Sequence, residues 1–128
     1  MNAILLPIRP VYVQKIISGE KKYEYRRRIC RRKIDIIYIY ATHPVKKVVA
    51  EVEVLGTVEG GRDEVWKQTE RFSGIEKSFF DEYFSGMDKA GAYCLGKVTV
   101  YETAKNLEEF DLGRAPQSYA YVQCTKQN

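Results

Sequence analysis

The stretch that most constrains the fold is Lys47 to Val58, where apolar and polar side chains alternate until Gly56 interrupts them. Val48, Ala50, Val52 and Val54 fall on one face, and Val49, Glu51 and Glu53 on the other. That is the period-2 pattern of a half-buried strand. Just upstream, Ile34-Asp35-Ile36-Ile37-Tyr38-Ile39-Tyr40 is apolar on both faces, as a central strand of a small barrel must be. Glu51 and Glu53 then belong to the solvent face of a long strand and are not read as a catalytic carboxylate pair.

The remaining elements assemble around these two strands. Ala3 to Leu6 is a short apolar strand bounded by Pro7. Pro10 opens a helix to Ser18, where its missing N–H is harmless, and Val13, Ile16 and Ile17 are its buried stripe. Ala41-Thr42-His43-Pro44 is a turn; with no second histidine or cysteine nearby, His43 is not expected to carry chemistry, and a ligand contact at a rim is the one role left to it. Gly60-Gly61 marks a turn before two helices. The first, about 62–72, carries Val65, Trp66, Thr69 and Phe72 at helical spacing. The second starts from a Ser73/Glu76 capping box, carries Phe79, Phe80, Tyr83 and Phe84, and stops at Gly86. Trp66 reads as a core contact. Ala90 to Tyr101 returns to strand, with Gly91 and Gly96 as the bends that let a barrel close. Asn106 caps a short turn over Leu107–Phe110, Arg114 to Ser118 is a loop, and Tyr119 to Cys124 is a last strand. The tail from Thr125 is polar and expected to fray. At 128 residues the chain reads as one domain, 1–128, with the helices as an insertion at about 62–86.

The chemistry-bearing stretch is Gly19-Glu20-Lys21-Lys22-Tyr23-Glu24-Tyr25-Arg26. Gly19 stops the helix in the usual left-handed manner, and a strand follows. Tyr23 and Tyr25 take one face, while Lys22, Glu24, Arg26 and Arg28 take the other. Lys21 stands at the turn into the strand. A carboxylate flanked by cations leaves those cations able to meet an anionic or strongly polar ligand. An edge strand protected by charge would look the same.

Charge adds a direction. Residues 1–60 hold twelve Lys/Arg against six Asp/Glu, whereas residues 61–128 hold nine against eleven, within a net charge of +4. Residues 20–33 alone carry eight basic and two acidic side chains. Such concentration favours a polyanionic partner on one face. Other chemistries are excluded. With one histidine, a Ser-His or Cys-His pair is hard to build. Cys30, Cys94 and Cys124 are odd in number and widely spaced, so neither a zinc site nor a disulfide framework is expected, and the thiols suit a reducing cytoplasm. There is no Gly-rich phosphate loop, no apolar run of membrane-spanning length and no leader at Met1–Pro7. The chain reads as cytoplasmic, without membrane, metal or cofactor.

The Gly19-x-Lys21-x-x-Glu24-x-Arg26 spacing resembles the GxKxxExR signature of the ASCH domain, a branch of the PUA-like β-barrels. The short helix ending at Gly19, Tyr40-Ala41-Thr42 closing a strand, and Arg114-Ala115-Pro116-Gln117-Ser118-Tyr119 resemble that family as well. The resemblance implies an α+β fold: a small, mostly antiparallel PUA-like β-barrel with flanking helices. It also implies an RNA-binding module, or a binder of a modified nucleobase, with Gly19, Lys21, Glu24, Arg26, Thr42, Arg114, Gln117 and Ser118 around the ligand. Gln117 and Ser118 would read a base edge and Arg114 a phosphate. Arg27, Arg28, Arg31, Arg32 and Lys33 would hold the phosphate backbone. One subgroup of the family hydrolyses N4-acylated cytidines with the motif's Lys, a Thr at the Glu position and a Glu between the middle helices; another cleaves single-stranded RNA. Here the Thr position is Glu24, and the second acid has only Glu70 and Glu76 as candidates. If the chain is an enzyme, Lys21, with its pKa lowered by Arg26, Glu24 and Arg26 itself are the catalytic candidates, for RNA cleavage or for a nucleoside amide. A regulatory module whose basic face meets an acidic protein is the remaining alternative.

Overall fold

A computed structural model describes residues 1–124; the expected fraying of the tail lies outside them. The order is β1 (Ala3–Ile8), α1 (Pro10–Ser18), β2 (Tyr23–Tyr25), β3 (Ile36–Ala41), β4 (Lys47–Gly61), α2 (Arg62–Thr69), α3 (Lys77–Tyr83), β5 (Lys89–Lys105) and β6 (Ala120–Val122). The strands form one six-stranded sheet in the order β2-β5-β4-β3-β1-β6. Only β1 and β3 run parallel, from Ala3 opposite Ile36 to Ile8 opposite Ala41; the other neighbours are antiparallel.

The α+β class and the mostly antiparallel pairing stand as expected, but the sheet does not close. β2 pairs with β5 through three residues and β6 with β1 through three, so the two ends of the order never meet. The reason lies just after Tyr25, where the chain leaves strand geometry and the basic run becomes an irregular connection to β3. It is pinned by the Cys30 N–H donating to the Tyr93 hydroxyl at 2.9 Å. Gly91 and Gly96 serve close approach rather than closure. A Cβ at Gly91 would stand 2.8 Å from Ile29 Cγ1, and one at Gly96 would stand 2.9 Å from Leu55 Cδ2. The register shifts that bend the β4–β5 ribbon fall between Val48 and Gly56.

The period-2 rule explains why β1 and β3 are apolar throughout. Ile4, Leu6, Ile8, Ile37, Ile39 and Ala41 pack with Val13 and Ile16 of α1 on one face. Ala3, Leu5, Tyr38 and Tyr40 pack with Val48 and Phe110 on the other. Ile17 is exposed, because nine residues of helix present only a narrow stripe. β1 also runs on through Pro7 to Ile8, and the last strand is shorter than expected.

A third cluster joins Tyr25 to Val65, Trp66, Phe80 and Phe84, so Trp66 is a core residue. The helix after Ser73 starts at Lys77 with Glu76 as its N-cap and no side-chain cap bond. Ser73 forms no capping box: it is buried, and its hydroxyl donates to the Ile75 carbonyl at 2.9 Å. The expected cap at Asn106 is present instead. Its N–H donates to Glu109 Oε2 at 2.8 Å, and Lys47 Nζ donates to its Oδ1 at 2.6 Å. This cap starts the 3-10 turn Leu107–Phe110 that lays Phe110 on Tyr38, ring centroids 4.9 Å apart. Asn106→Ala should therefore cost about 1 kcal/mol, read as a shift of the urea midpoint at unchanged slope.

Candidate functional site

The site begins at the helix stop. Gly19 adopts φ 87° and donates its N–H to the Ile16 carbonyl. The chain turns at once, with the Lys21 N–H on the Lys15 carbonyl and the Lys22 N–H on the Phe72 carbonyl. β2 then lasts only three residues. Glu24 and Arg26 share a face, as the alternation requires, and their side chains meet. Arg26 donates from Nε at 3.2 Å and from Nη2 at 3.0 Å to the same Glu24 oxygen, Oε2. Arg26 Nη2 also donates to the Pro7 carbonyl at 2.6 Å, which ties the motif to β1.

Lys21 is the buried member, with 3% of its surface exposed. Its ammonium donates to the Ser73 carbonyl at 2.7 Å, lies 3.9 Å from Glu24 Oε1 and stands 4.9 Å from the centre of the Tyr25 ring. Burial holds its pKa below the ordinary 10.5; Glu24 opposes that shift, while Lys15 and Arg26 add to it. The expected lowering is present, but its main cause is desolvation, and the Arg26 charge is the smallest contribution. Tyr25 is held in turn, donating to Thr69 Oγ1 at 2.6 Å, and Thr69 donates to the Val65 carbonyl at 2.8 Å. Burial pushes the Tyr25 phenol up to about 12, so it presents a neutral ring.

These groups line a cleft of about 220 Å³. Lys21, Glu24 and Tyr25 are its buried members; Pro7, Ile8, Arg9 and Arg26 line it as well, together with the apolar and aromatic side chains of Tyr12, Ile75, Phe79 and Tyr83. Glu24 is the one carboxylate among the described lining residues, and its Oε1 accepts no hydrogen bond within the described protein. The arrangement is an acceptor oxygen beside two cations, at the bottom of an aromatic slot. It can receive an N–H from a planar polar ring while the cations meet oxygen or phosphate.

The other expected site residues disperse. Thr42 opens the turn after β3 and donates its N–H to the Ile8 carbonyl, and it does not line the cleft. Arg114 and Gln117 line a separate hollow with Pro116, and Ser118 is exposed nearby. Lys22 leaves the Glu24 face and lies over the Phe72 ring at 4.5 Å. Arg28, Arg31 and Lys33 are exposed, and Arg32 lies over Tyr121 at 4.5 Å. Glu70 and Glu76 are exposed and do not line the cleft. His43 is exposed in its turn, and no described helix is long and apolar enough to cross a membrane. Among the described residues, no three His, Cys, Asp or Glu side chains gather as metal ligands would.

Several contributors were not among the site residues expected from sequence, Ile75, Phe79 and Tyr83 of the lining among them. Tyr12 sits on the exposed side of α1's apolar stripe. Ser73 acts through its backbone carbonyl. Gly74 adopts φ 68° and passes so close to Lys21 that an added Cβ would stand 2.5 Å from Lys21 Cβ. The lysine stem runs where a side chain would be. Only the Ser-Gly pair between two helices hinted at this.

The family model for the ASCH domain matches residues 6–112. The large ribosomal subunit protein uL22 of Ureaplasma parvum serovar 3 is 29% identical over 122 residues, 94% of this chain, and the chain spans only 39% of that protein's length. An ASCH domain-containing ribonuclease of Zymomonas mobilis is 33% identical over 92 residues, 71% of this chain and 62% of that protein. The crystal structure of ASCH from Zymomonas mobilis superimposes with a TM-score of 0.85 at 28% identity, covering 94% of this chain and 87% of that one. A tyrosine-to-phenylalanine variant from the same organism gives a TM-score of 0.86 at 26% identity, with 96% and 91% covered.

Proposed function

Because this chain belongs to the ASCH domain family, we propose that it binds single-stranded RNA by drawing one base into the cleft walled by Tyr12, Phe79 and Tyr83. One observation carries this reading. Glu24 keeps a free acceptor oxygen at the cleft bottom, between the buried ammonium of Lys21 and the guanidinium of Arg26. An exocyclic amine or ring N–H of a base donates to that oxygen, and the flanking aromatic rings receive the base plane. A volume of about 220 Å³ is smaller than the ~300–1,000 Å³ typical of drug-sized ligands, which suits one base with its sugar and phosphate outside. The exposed Arg28, Arg31 and Lys33 then supply the sequence-independent charge that follows the backbone.

The test is fluorescence anisotropy of a labelled RNA decamer across a salt series. Affinity should fall linearly in log–log form as salt rises, because neutralised phosphates release counterions. A salt-insensitive or absent interaction would point to a protein partner instead.

Turnover is a second reading, favoured by the name of the Zymomonas relative and by the depressed pKa of Lys21. In such cleavage the 2′-hydroxyl attacks the adjacent phosphorus and the P–O5′ bond breaks, leaving a 2′,3′-cyclic phosphate. Lys21 would take the 2′-hydroxyl proton and Arg26 would hold the phosphate oxygens. Since Glu24 is an ion-paired carboxylate, water would protonate the departing 5′-oxygen. A neutral amine is the base, so cleavage should rise with pH as Lys21 loses its proton and level off below the ordinary 10.5. Lys21→Arg keeps the charge but stays protonated throughout, and should abolish that rise after subtraction of alkaline RNA hydrolysis. The nucleoside amidohydrolase is less well served, since a carboxylate stands at position 24 where that chemistry uses a hydroxyl.

A further inference from the structure

The basic run after Glu24 is not a uniform row of phosphate-seeking side chains, and its first arginine differs from the rest. Arg27 is exposed, yet it is bound to one residue of α3 in three ways. Its backbone N–H donates to the Tyr83 hydroxyl at 3.2 Å, its Nε donates to the Tyr83 carbonyl at 2.7 Å, and its guanidinium lies over the Tyr83 ring at 4.5 Å. Arg28 and Arg31 next to it have no such partner among the described residues.

A guanidinium held over a ring by its own Nε bond to the same residue, on a side chain that is still exposed, is a positioned planar group rather than a searching charge. Its orientation is set before any ligand arrives, which reduces the ordering cost of binding. Tyr83 is also a wall of the cleft. On the same helix, Phe79 lies one turn away with its ring within 8° of parallel to that of Tyr83, and Tyr12 meets Phe79 at 5.9 Å. Planar groups therefore continue from inside the cleft, across Tyr83, to the outer surface at Arg27. Bases of single-stranded RNA stack on aromatic rings and on arginine planes alike.

Resting on the reading of the cleft as a base site, we propose that Arg27 and Tyr83 form a second base-stacking subsite beside it. The ligand is then a single-stranded RNA of at least two nucleotides and not a free nucleoside. Arg27 acts through its plane, so its charge alone does not replace it.

The test uses the full chain and a labelled RNA decamer, with Arg27→Lys and Arg27→Ala, after thermal melts show that both variants are folded. Stacking predicts that Lys fails as badly as Ala, each binding the decamer about 5- to 20-fold more weakly, with the salt slope of Arg27→Lys equal to that of wild type. It also predicts that, with wild-type protein, removing single bases along the decamer weakens binding at two adjacent positions. If Arg27→Lys binds like wild type while Arg27→Ala loses affinity and about one unit of salt slope, Arg27 is a phosphate contact and the subsite is overturned. One sensitive base position instead of two overturns it as well. Failure of wild type to bind any RNA removes the cleft reading and this subsite together; binding without these two signatures removes the subsite alone.

Discussion

Glu24→Ala is expected to lower the unfolding free energy by about 3 kcal/mol at pH 6, at the low end of what removing one partner from a buried ion pair costs. The low end applies because Arg26 keeps the Pro7 carbonyl and is partly exposed, and Lys21 keeps the Ser73 carbonyl. What the variant leaves is a buried ammonium without its anion. Glu24 is the one group that raises the Lys21 pKa, so the variant's lysine falls further below its unfolded value of 10.5. Between those two values the unfolded chain binds more protons, and stability rises with pH. The penalty should therefore shrink between pH 6 and pH 9. Urea denaturation at both pH values measures it, and a penalty under about 1 kcal/mol that ignores pH would mean the triad is not electrostatically coupled. The same variant removes the free acceptor at the cleft bottom, so RNA binding should fall at least tenfold; Glu24→Gln, which keeps an acceptor oxygen, should recover part of it.

Gly74→Ala should have a comparable effect from a residue without a side chain. At φ 68° an L-residue costs roughly 1–2 kcal/mol. The new Cβ would also stand 2.5, 2.7 and 2.9 Å from Cβ, Cγ and Cδ of Lys21. That stem has little room to move, because its backbone N–H is bonded to Lys15 and its ammonium to Ser73. Overpacking adds about 1–3 kcal/mol, for a total of about 2–5 kcal/mol, with loss of the Lys21 position and hence of RNA binding. Gly19→Ala is the control. Gly19 has φ 87° but no atom within 4 Å of an added Cβ, so it should show the backbone strain alone. Equal melting shifts for the two variants would show that Lys21 is not clamped by the Ser73–Gly74 turn.

Much of the framework was legible from local pattern. The alternation at Lys47–Val58 and the double-faced run before β4 identified the centre of the sheet. Gly19 marked the end of α1, and Asn106 marked a cap. The expected barrel failed because closure depends on whether the outer strands pair. β2 is too short, and Cys30 and Ile34 draw the following segment into the core. Ser73 was misread because Ser-x-x-Glu scores as a cap wherever it occurs, while here the serine is turned inward. The ligand set inferred around Thr42, Arg114, Gln117 and Ser118 does not gather at the cleft, since nothing in a loop's composition states which opening it borders.

The sequence by itself determined that Glu24 and Arg26 share a face beside Lys21, because side-chain direction along a strand and the turn at Gly19 are local properties of the backbone. Only the tertiary structure decided that Lys21 is the buried member, anchored to a carbonyl 52 residues away, that α3 supplies Phe79 and Tyr83 to the cleft, and that the Arg27 guanidinium is held over the Tyr83 ring. Those facts depend on which backbone carbonyls and ring faces packing brings within reach. A backbone carbonyl is the same group at every position, so its use leaves no mark in the order of the residues.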